Sequence, residues 1–370
     1  MSEVARQPPV PYLLKRGPVA DLKIAVIAGD GIGPEVTREA LRVMRKVLDD
    51  AKVSFEEVPF SLGAERYLDS GHVLDEDDLE ALADNDAILL GAVGDPRIQS
   101  GILERGLLLR IRFAFDQYVN LRPSKHYPGV ASPLKNPEGI DFVVVREGTE
   151  GPYAGAGGVL RVGTDEEVAT EVSVNTAYAI RRVVRYAYNL AQTRPRKHLT
   201  LLHKNNVLGY AGSLWTRIFN DVGVSYPEVT TEYLHIDAAT VHLLTRPQSF
   251  DVIVTDNLFG DIITDEAGAI TGGIGLAASA NINPDGNFPS MFEPIHGSAP
   301  DIAGKGLADP IAAIGSAQLL LESLGFQEPA KRIEDAIDLE MKQRAADPDN
   351  TGARTTTEIG DAVLKNLDQK

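Results

Sequence analysis

"DLKIAVIAGDGIGPEV", residues 21–36, reads as a buried strand, a glycine turn and the start of a helix. That order opens an α/β protein. Leu22, Ile24, Val26 and Ile27 supply apolar side chains, and Pro34 stands where a first helical residue loses nothing by lacking an N–H. The turn decides which α/β fold this is. A dinucleotide-binding turn has the spacing G-x-G-x-x-G, with an acid about 20 residues further on. Here the glycines are Gly29, Gly31 and Gly33, with proline immediately after. The spacing is wrong for close approach to a pyrophosphate, and no Gly-Lys-Ser/Thr follows to make a P-loop. The turn therefore reads as a tight strand-to-helix connection. A nicotinamide cofactor, if one binds, has to be held largely by another element.

Working outward, the helix after the turn places Val36, Ala40, Val43, Met44 and Val47 on one face. Residues 86–96, 140–148, 198–207 and 250–257 read as further buried strands, and residues 176–191 as an amphipathic helix with Ile180, Val183, Val184 and Ala187 inward. Residues 151–173 are glycine-rich and then alternate, which predicts extended arms instead of a packed βα unit. The Pro-rich residues 1–20 read as a flexible extension. With 370 residues the chain has room for two domains. Its net charge of −17 argues against a nucleic-acid partner. The absence of cysteine excludes disulfides, zinc–thiolate sites and thiol nucleophiles. No apolar run is long enough to span a membrane, and the start lacks the apolar core of a secretory signal, so the expectation is a cytoplasmic protein.

Four groups of residues carry chemistry. Arg110, Arg112 and Arg122 lie within residues 106–123, and Arg146 ends a strand, where ligands of open α/β sheets bind. Converging there, guanidinium forks suit a polycarboxylate; singly, each is a solvated surface arginine. Lys204 ends an apolar strand, as a partly desolvated base or as a surface charge. Tyr153 is a phenolic acid or a packed aromatic. Asp261 and Asp265 are four apart in a helix expected to open after Gly260, so they share one face. A divalent cation between them would relieve their repulsion, whereas helix N-capping explains Asp261 without one. Asp237 opens another helix and has the same two readings. Asp256 is expected to satisfy backbone at its turn, and Glu266 to point off the metal face.

Together these segments resemble the β-decarboxylating dehydrogenases, which include 3-isopropylmalate, isocitrate, homoisocitrate and tartrate/D-malate dehydrogenases. The likeness runs from about Leu22 to the C-terminus through "GDGIGPEV" (29–36), "NLRP" (120–123), "VVREGTEGPYAG" (144–155), "HKNNVL" (203–208), "DNLFGDIITD" (256–265), "FEPIHGSAPDIAGKGLADP" (292–310) and "ARTTTEIGDAV" (353–363). It implies the isocitrate/isopropylmalate dehydrogenase-like two-domain fold, which is α/β but not a Rossmann fold, with an extended arm at a dimer interface. Residues 21–117 plus 272–370 would bind the cofactor, and 118–271 would carry substrate, metal and dimer contacts. The leucines of "ERGLLLRIRF" (104–113) resemble those that meet an isopropyl group, where isocitrate enzymes place a polar residue.

The resemblance also implies roles. Leu108, Leu109 and Val207 would line the substrate pocket. Arg112, Arg122 and Arg146 would bind the carboxylates of a 2-hydroxy dicarboxylate. "GLLLRIR" (106–112) is one residue longer than in some members, so Arg112 rests on counting back from "NLRP", with Arg110 the competing choice. Asp237, Asp261 and Asp265 would hold Mg²⁺ or Mn²⁺, with Asp237 also touching substrate, and Lys204 and Tyr153 would be the acid–base pair. Glu104 and Glu293 would sit near the cofactor. His296, Gly297, Ser298, Ala299, Pro300, Asp301, Ile302, Ala303 and Gly304 would wrap the adenosine, joined by Asp309, for which N-capping is the competing role. Asp301, a carboxylate facing the ribose, would favour NAD over NADP. Lys204 and Asp237 would be lent by a partner subunit, making a homodimer with shared sites obligatory. The activity implied is NAD-dependent oxidative decarboxylation of (2R,3S)-3-isopropylmalate to 4-methyl-2-oxopentanoate and CO₂ in leucine biosynthesis. The alternatives are tartrate/D-malate or homoisocitrate oxidation, or a non-catalytic metabolite-binding regulatory subunit.

Overall fold

In the computed structural model, which describes residues 21–346 and 354–369, the opening strand is β1 (Asp21–Gly29). The expected flexible extension at residues 1–20 lies outside the described residues. The other strands are β2 (Ser54–Pro59), β3 (Ala87–Ala92), β4 (Val119–Lys125), β5 (Asp141–Glu147), β6 (Gly157–Leu160), β7 (Val168–Glu171), β8 (His198–His203), β9 (Thr230–His235), β10 (Val252–Thr255), β11 (Ala278–Ile282) and β12 (Ser290–Pro294). The helices are α1 (Gly33–Asp50), α2 (Ala64–Ser70), α3 (Glu76–Ala83), α4 (Arg110–Ala114), α5 (Ala177–Thr193), α6 (Gly209–Gly223), α7 (Ile236–Thr245), α8 (Asn257–Thr271), α9 (Ile311–Ser323), α10 (Gln327–Ala346) and α11 (Thr356–Asn366).

Ten strands form one mixed sheet in the order β2-β1-β3-β12-β11-β4-β5-β10-β8-β9. The five on one side of the β11–β4 seam come from residues 21–59, 87–92 and 278–294; the five on the other come from residues 119–255. At the seam β4 pairs antiparallel with both β11 and β5. The outer pairs on both flanks are parallel, and the inner strands β3, β8 and β10 are buried almost throughout because helices cover both faces, whereas the edge strands β2 and β9 are polar and partly exposed. Val36, Ala40, Val43, Met44 and Val47 of α1 are fully buried, as are Ile180, Val183, Val184 and Ala187 of α5. Residues 151–173 do form an arm, the two-stranded β6–β7 ribbon, whose strands are exposed throughout. No helix among the described residues is long and apolar enough to cross a membrane.

The opening turn acts as a spacer between backbones. Gly31 has a φ of +59°, and an added Cβ would run into the carbonyl of Ser298. Ile32 N–H donates to that same carbonyl at 2.8 Å. On the other side of the turn, Asp30 N–H donates to the Ala92 oxygen at 2.8 Å. Asp30 itself is buried and accepts from the N–H groups of Ala64 and Gly94. The glycines thus let three loops meet at the carboxyl ends of β1, β3 and β12.

Candidate active site

Helix α8 begins one turn earlier than the sequence suggested. Asp256 is its N-cap, with a carboxylate oxygen accepting from Phe259 N–H at 2.7 Å. Asp261 is therefore interior to the helix, which removes capping as its explanation. The 3.6-residue repeat now aligns Asn257, Asp261, Thr264 and Asp265 along one face.

That face meets the arginines. Arg146, at the end of β5 and almost fully buried, donates through Nε to Asn257 Oδ1 at 2.9 Å and through Nη1 to Asp261. Arg122, on β4, donates to Asn120 Oδ1 at 2.9 Å and Thr264 Oγ1 at 2.8 Å, and lies 3.9 Å from both Asp261 and Asp265. Arg112 reaches Glu293 Oε1 at 3.1 Å, and that oxygen also accepts from Asn281 at 2.7 Å. Burial, with Arg146 and Arg112 nearby, pushes the Arg122 guanidinium down to about 10. Arg146 is lowered too, by burial first and by Arg112, against the opposing pull of Asp261. Three guanidinium groups in one desolvated place favour an anion. Arg110 turns the other way, onto the Leu74 carbonyl and Glu76 at 2.6 Å. Of the two competing arginines, Arg112 is the one in the cluster.

The register has a visible cause. Glu104–Leu109 is a π-helical turn that runs directly into α4. A wider turn takes up one extra residue without rotating the helix beyond it. Leu108 and Arg112 thereby line one cavity of about 180 Å³ together with Arg122, Glu293, His296 and Gly297. Leu107 is buried in the core, while Leu109 is half-buried outside that lining. Glu104 is exposed and caps the turn by accepting from Gly101 N–H at 2.9 Å. A larger cavity of about 510 Å³ lies on the opposite face of the same strands, with Leu121, Pro123 and Ala278 in place of Arg122 and Ser279. Its cations, Lys125 and Arg194, are already held by Asp338 and Asp251, so it offers nothing to a dicarboxylate.

Tyr153, in a short 3₁₀ turn of residues Pro152–Ala154, donates to Asp261 Oδ2 at 2.6 Å, and its ring lies 5.1 Å from the Arg146 guanidinium. Burial, then the Asp261 bond, raises its phenol pKa. Burial pushes the Asp261 carboxyl upward, yet Arg146, Tyr153 and Arg122 outweigh it and the net shift is downward.

Lys204 and Asp237 form a second cluster. Lys204 Nζ lies 2.6 Å from Asp237 Oδ1, and Asp237 is 66% exposed. The N-cap of α7 is His235, so Asp237 is not a cap. Val207 stands beside them, 70% exposed, and does not line the Leu108 cavity. Among the described residues no three acidic or histidine side chains converge as a metal site. Asp261 and Asp265 fit a hard divalent cation as oxygen donors aimed at one positive centre, with Asp265 72% exposed and open to a further ligand. Among the described residues no third donor joins them.

The 296–304 loop borders the cavity. His296 is buried, its Nδ1 beside the Gly297 oxygen and its Nε2 without a partner. Ser298 is buried against Gly31, and Ala299 holds a left-handed backbone with φ +40°. Pro300, Asp301 and Gly304 are exposed, and Ile302 and Ala303 half-buried. An unpartnered imidazole nitrogen above an open loop fits a polar ligand such as a nucleotide cofactor. Asp309 is occupied elsewhere: it accepts from Ile311 N–H at 3.1 Å and from Arg344 at 2.6 Å, next to Pro310, the N-cap of α9. Sequence reasoning missed Asn257, Thr264, Asn120 and Asn281, which orient the arginines and Glu293; the α8 spacing 257, 261, 264, 265 was the available signal for the first two. Glu266 is half-buried, and burial raises its pKa.

The isocitrate/isopropylmalate dehydrogenase family profile matches residues 23–363. The chain is 63% identical to the 3-isopropylmalate dehydrogenase of Streptomyces coelicolor over 343 residues, 92% of this chain and 97% of that one. It is 60% identical to the enzyme of the same name from Corynebacterium glutamicum, over 94% and 99%. Among solved structures, isocitrate dehydrogenase from Methylococcus capsulatus superposes with a TM-score of 0.84 at 32% identity, covering 94% of this chain and 100% of that one. The chain belongs to the isocitrate/isopropylmalate dehydrogenase family.

Proposed function

We propose that the protein oxidises and decarboxylates 3-isopropylmalate to 4-methyl-2-oxopentanoate in leucine biosynthesis, using NAD and Mg²⁺ or Mn²⁺. The observation that carries the reading is the cavity in which Arg112 and Arg122 stand beside Leu108, with Arg146 adjoining through Asp261. Carboxylates and an aliphatic branch are what those groups would bind together. The close relatives bearing the enzyme's name support it.

In this reading Arg112, Arg122 and Arg146 clamp the two carboxylates, and Leu108 packs on the isopropyl group. Lys204 takes the C2 hydroxyl proton. The β-keto acid then loses CO₂, and Tyr153 protonates the carbon left behind. When bound, NAD along residues 296–304 would accept the C2 hydride, and a divalent cation on Asp261, Asp265 and Asp237 would supply Lewis acidity at the substrate oxygens. Asp237 and Lys204 serve from a second copy of the chain. Val159, Leu160, Val162, Val207, Tyr210 and Ile262 are all at least half exposed, apolar side chains of the kind a partner covers. The β11–β4 seam then divides two domains, with the cavity at their junction.

The test is a side-by-side assay of 3-isopropylmalate, D-malate, tartrate and isocitrate with NAD and NADP. Preference for 3-isopropylmalate with NAD is expected. A higher kcat/KM for D-malate or tartrate would overturn the substrate assignment.

A further inference from the structure

Asp256 and His203 belong to neither cluster, yet they lie between the two. β8 and β10 are parallel neighbours with Leu202 opposite Thr255, so His203 and Asp256 face each other on the next rung. His203 is 0% exposed. Its ring is packed against Trp215 and Phe259, with centroids 5.8 and 5.6 Å away. Its Nε2 lies 3.5 Å from Asp256 Oδ2, and neither ring nitrogen has a hydrogen-bond partner. The other Asp256 oxygen is spent on the α8 cap. One residue beyond His203 comes Lys204; five beyond Asp256 comes Asp261.

Buried polar pairs of this kind are seldom the most stable filling, since an apolar pair of equal volume packs as well or better. Their recurrent use is to fix a geometry. Here the geometry is the offset between the end of β8 and the start of α8. Closing the 3.5 Å gap by a few tenths of an ångström would make a full hydrogen bond.

We propose that His203 and Asp256 are a positioning pair, with imidazole Nε2–H donating to the Asp256 carboxylate, that fixes the end of β8, and with it Lys204, relative to helix α8 of the same chain. This rests on the reading of Lys204 as the acid–base residue. The local charges agree with it. Burial holds the imidazole pKa down to about 4, so at neutral pH it carries one proton to donate. Burial, with Glu147 nearby, pushes the Asp256 carboxyl up to about 6, while Arg146 draws it down. Glu147 and Arg146 on β5 and Lys204, one residue past β8, are the charged groups around the pair.

Two variants in the metal- and NAD-supplied enzyme test it. Asp256→Asn keeps a good N-cap but loses the charge. His203→Phe keeps a ring against Trp215 and Phe259 but loses the nitrogens. A misplaced Lys204 is expected to lower kcat about 10- to 100-fold. KM for substrate and NAD should stay within about twofold, and the double variant should be no worse than the poorer single one. In Asp256→Asn the acid limb of the kcat–pH profile should also move. A folded variant with kcat within about twofold of wild type at every pH overturns the proposal. If neither variant folds, ¹H–¹⁵N imidazole spectra of the unaltered enzyme decide. A neutral Nε2–H tautomer constant from about pH 5 to 8 is expected; an Nδ1–H tautomer, or titration near 6.5, overturns the pair. Lys204→Met, assayed alongside, separates the two ideas. Retained turnover there sinks the acid–base reading, whereas loss there with wild-type-like His203→Phe overturns the positioning pair alone.

Discussion

Gly31 offers the sharpest test of how the opening turn serves the site. Gly31→Ala carries two costs. Its φ of +59° is left-handed, which costs a side chain about 1–2 kcal/mol. Its Cβ would also run into Ser298, displacing a loop whose 2.8 Å bond from Ile32 N–H contributes about 1 kcal/mol. Gly71→Ala is the matched control. Gly71 has a φ of +76° at the end of α2, and a Cβ there meets nothing within 4 Å. It carries the same backbone cost alone, about 1–2 kcal/mol. That cost cancels between the two variants, so denaturant melts should differ by the loop term, Gly31→Ala being the less stable by about 1 kcal/mol or more. The kinetic consequence should be local. The displaced residues 296–304 are the proposed cofactor edge, so KM for NAD should rise about tenfold with KM for 3-isopropylmalate little changed. Gly71→Ala should alter neither. Equal melts and an unchanged KM for NAD would refute the reasoning, because the turn would then not be holding the loop.

Three other outcomes come from the same geometry. Leu108→Ala should narrow the preference for 3-isopropylmalate over D-malate by about 10- to 200-fold, read as a ratio of kcat/KM values, since an aliphatic branch in such a pocket is worth about 1–3 kcal/mol. His203 should cost the protein acid stability: the unfolded chain binds a proton near 6.5 that the folded imidazole refuses until about 4, so stability present above 6.5 drains between those values. His203→Phe removes that difference, which integrates to roughly 3 kcal/mol, and melts of both proteins across that range should diverge accordingly. Val162→Asp on the arm, or Ile262→Asp on α8, should shift sedimentation toward the monomer and abolish turnover together; an active monomer would contradict shared sites.

The strands, the arm and the inward helix faces could be read from the sequence because each depends on local periodicity, and so could the choice of the turn at Gly31 over a dinucleotide turn. The rest required distances between segments. Whether Asp256 or Asp261 capped α8 could not be read, since both precede apolar runs and the cap is chosen by backbone direction. The π-helical turn at Glu104–Leu109 has no sequence signature. Without it the extra residue in "GLLLRIR" left Arg110 and Arg112 as rivals. Asn257 and Thr264 matter only because Arg146 and Arg122 arrive from β5 and β4, more than a hundred residues away. The separation of Lys204–Asp237 from Arg146–Asp261–Tyr153 is the most informative of these. In the proposed reading one set of groups binds substrate and the other holds the base. Two copies of the chain would bring the two sets together, with the arginines of one and the lysine of the other meeting at each site. His203 and Asp256 would then join, through one rung of one sheet, the half-site a chain keeps to the half-site it lends. On that arrangement, a change at the pair made in one subunit of a tagged heterodimer should slow the site that receives its Lys204 and the site that keeps its Asp261. Full activity at either site would mean that the pair holds only one of them.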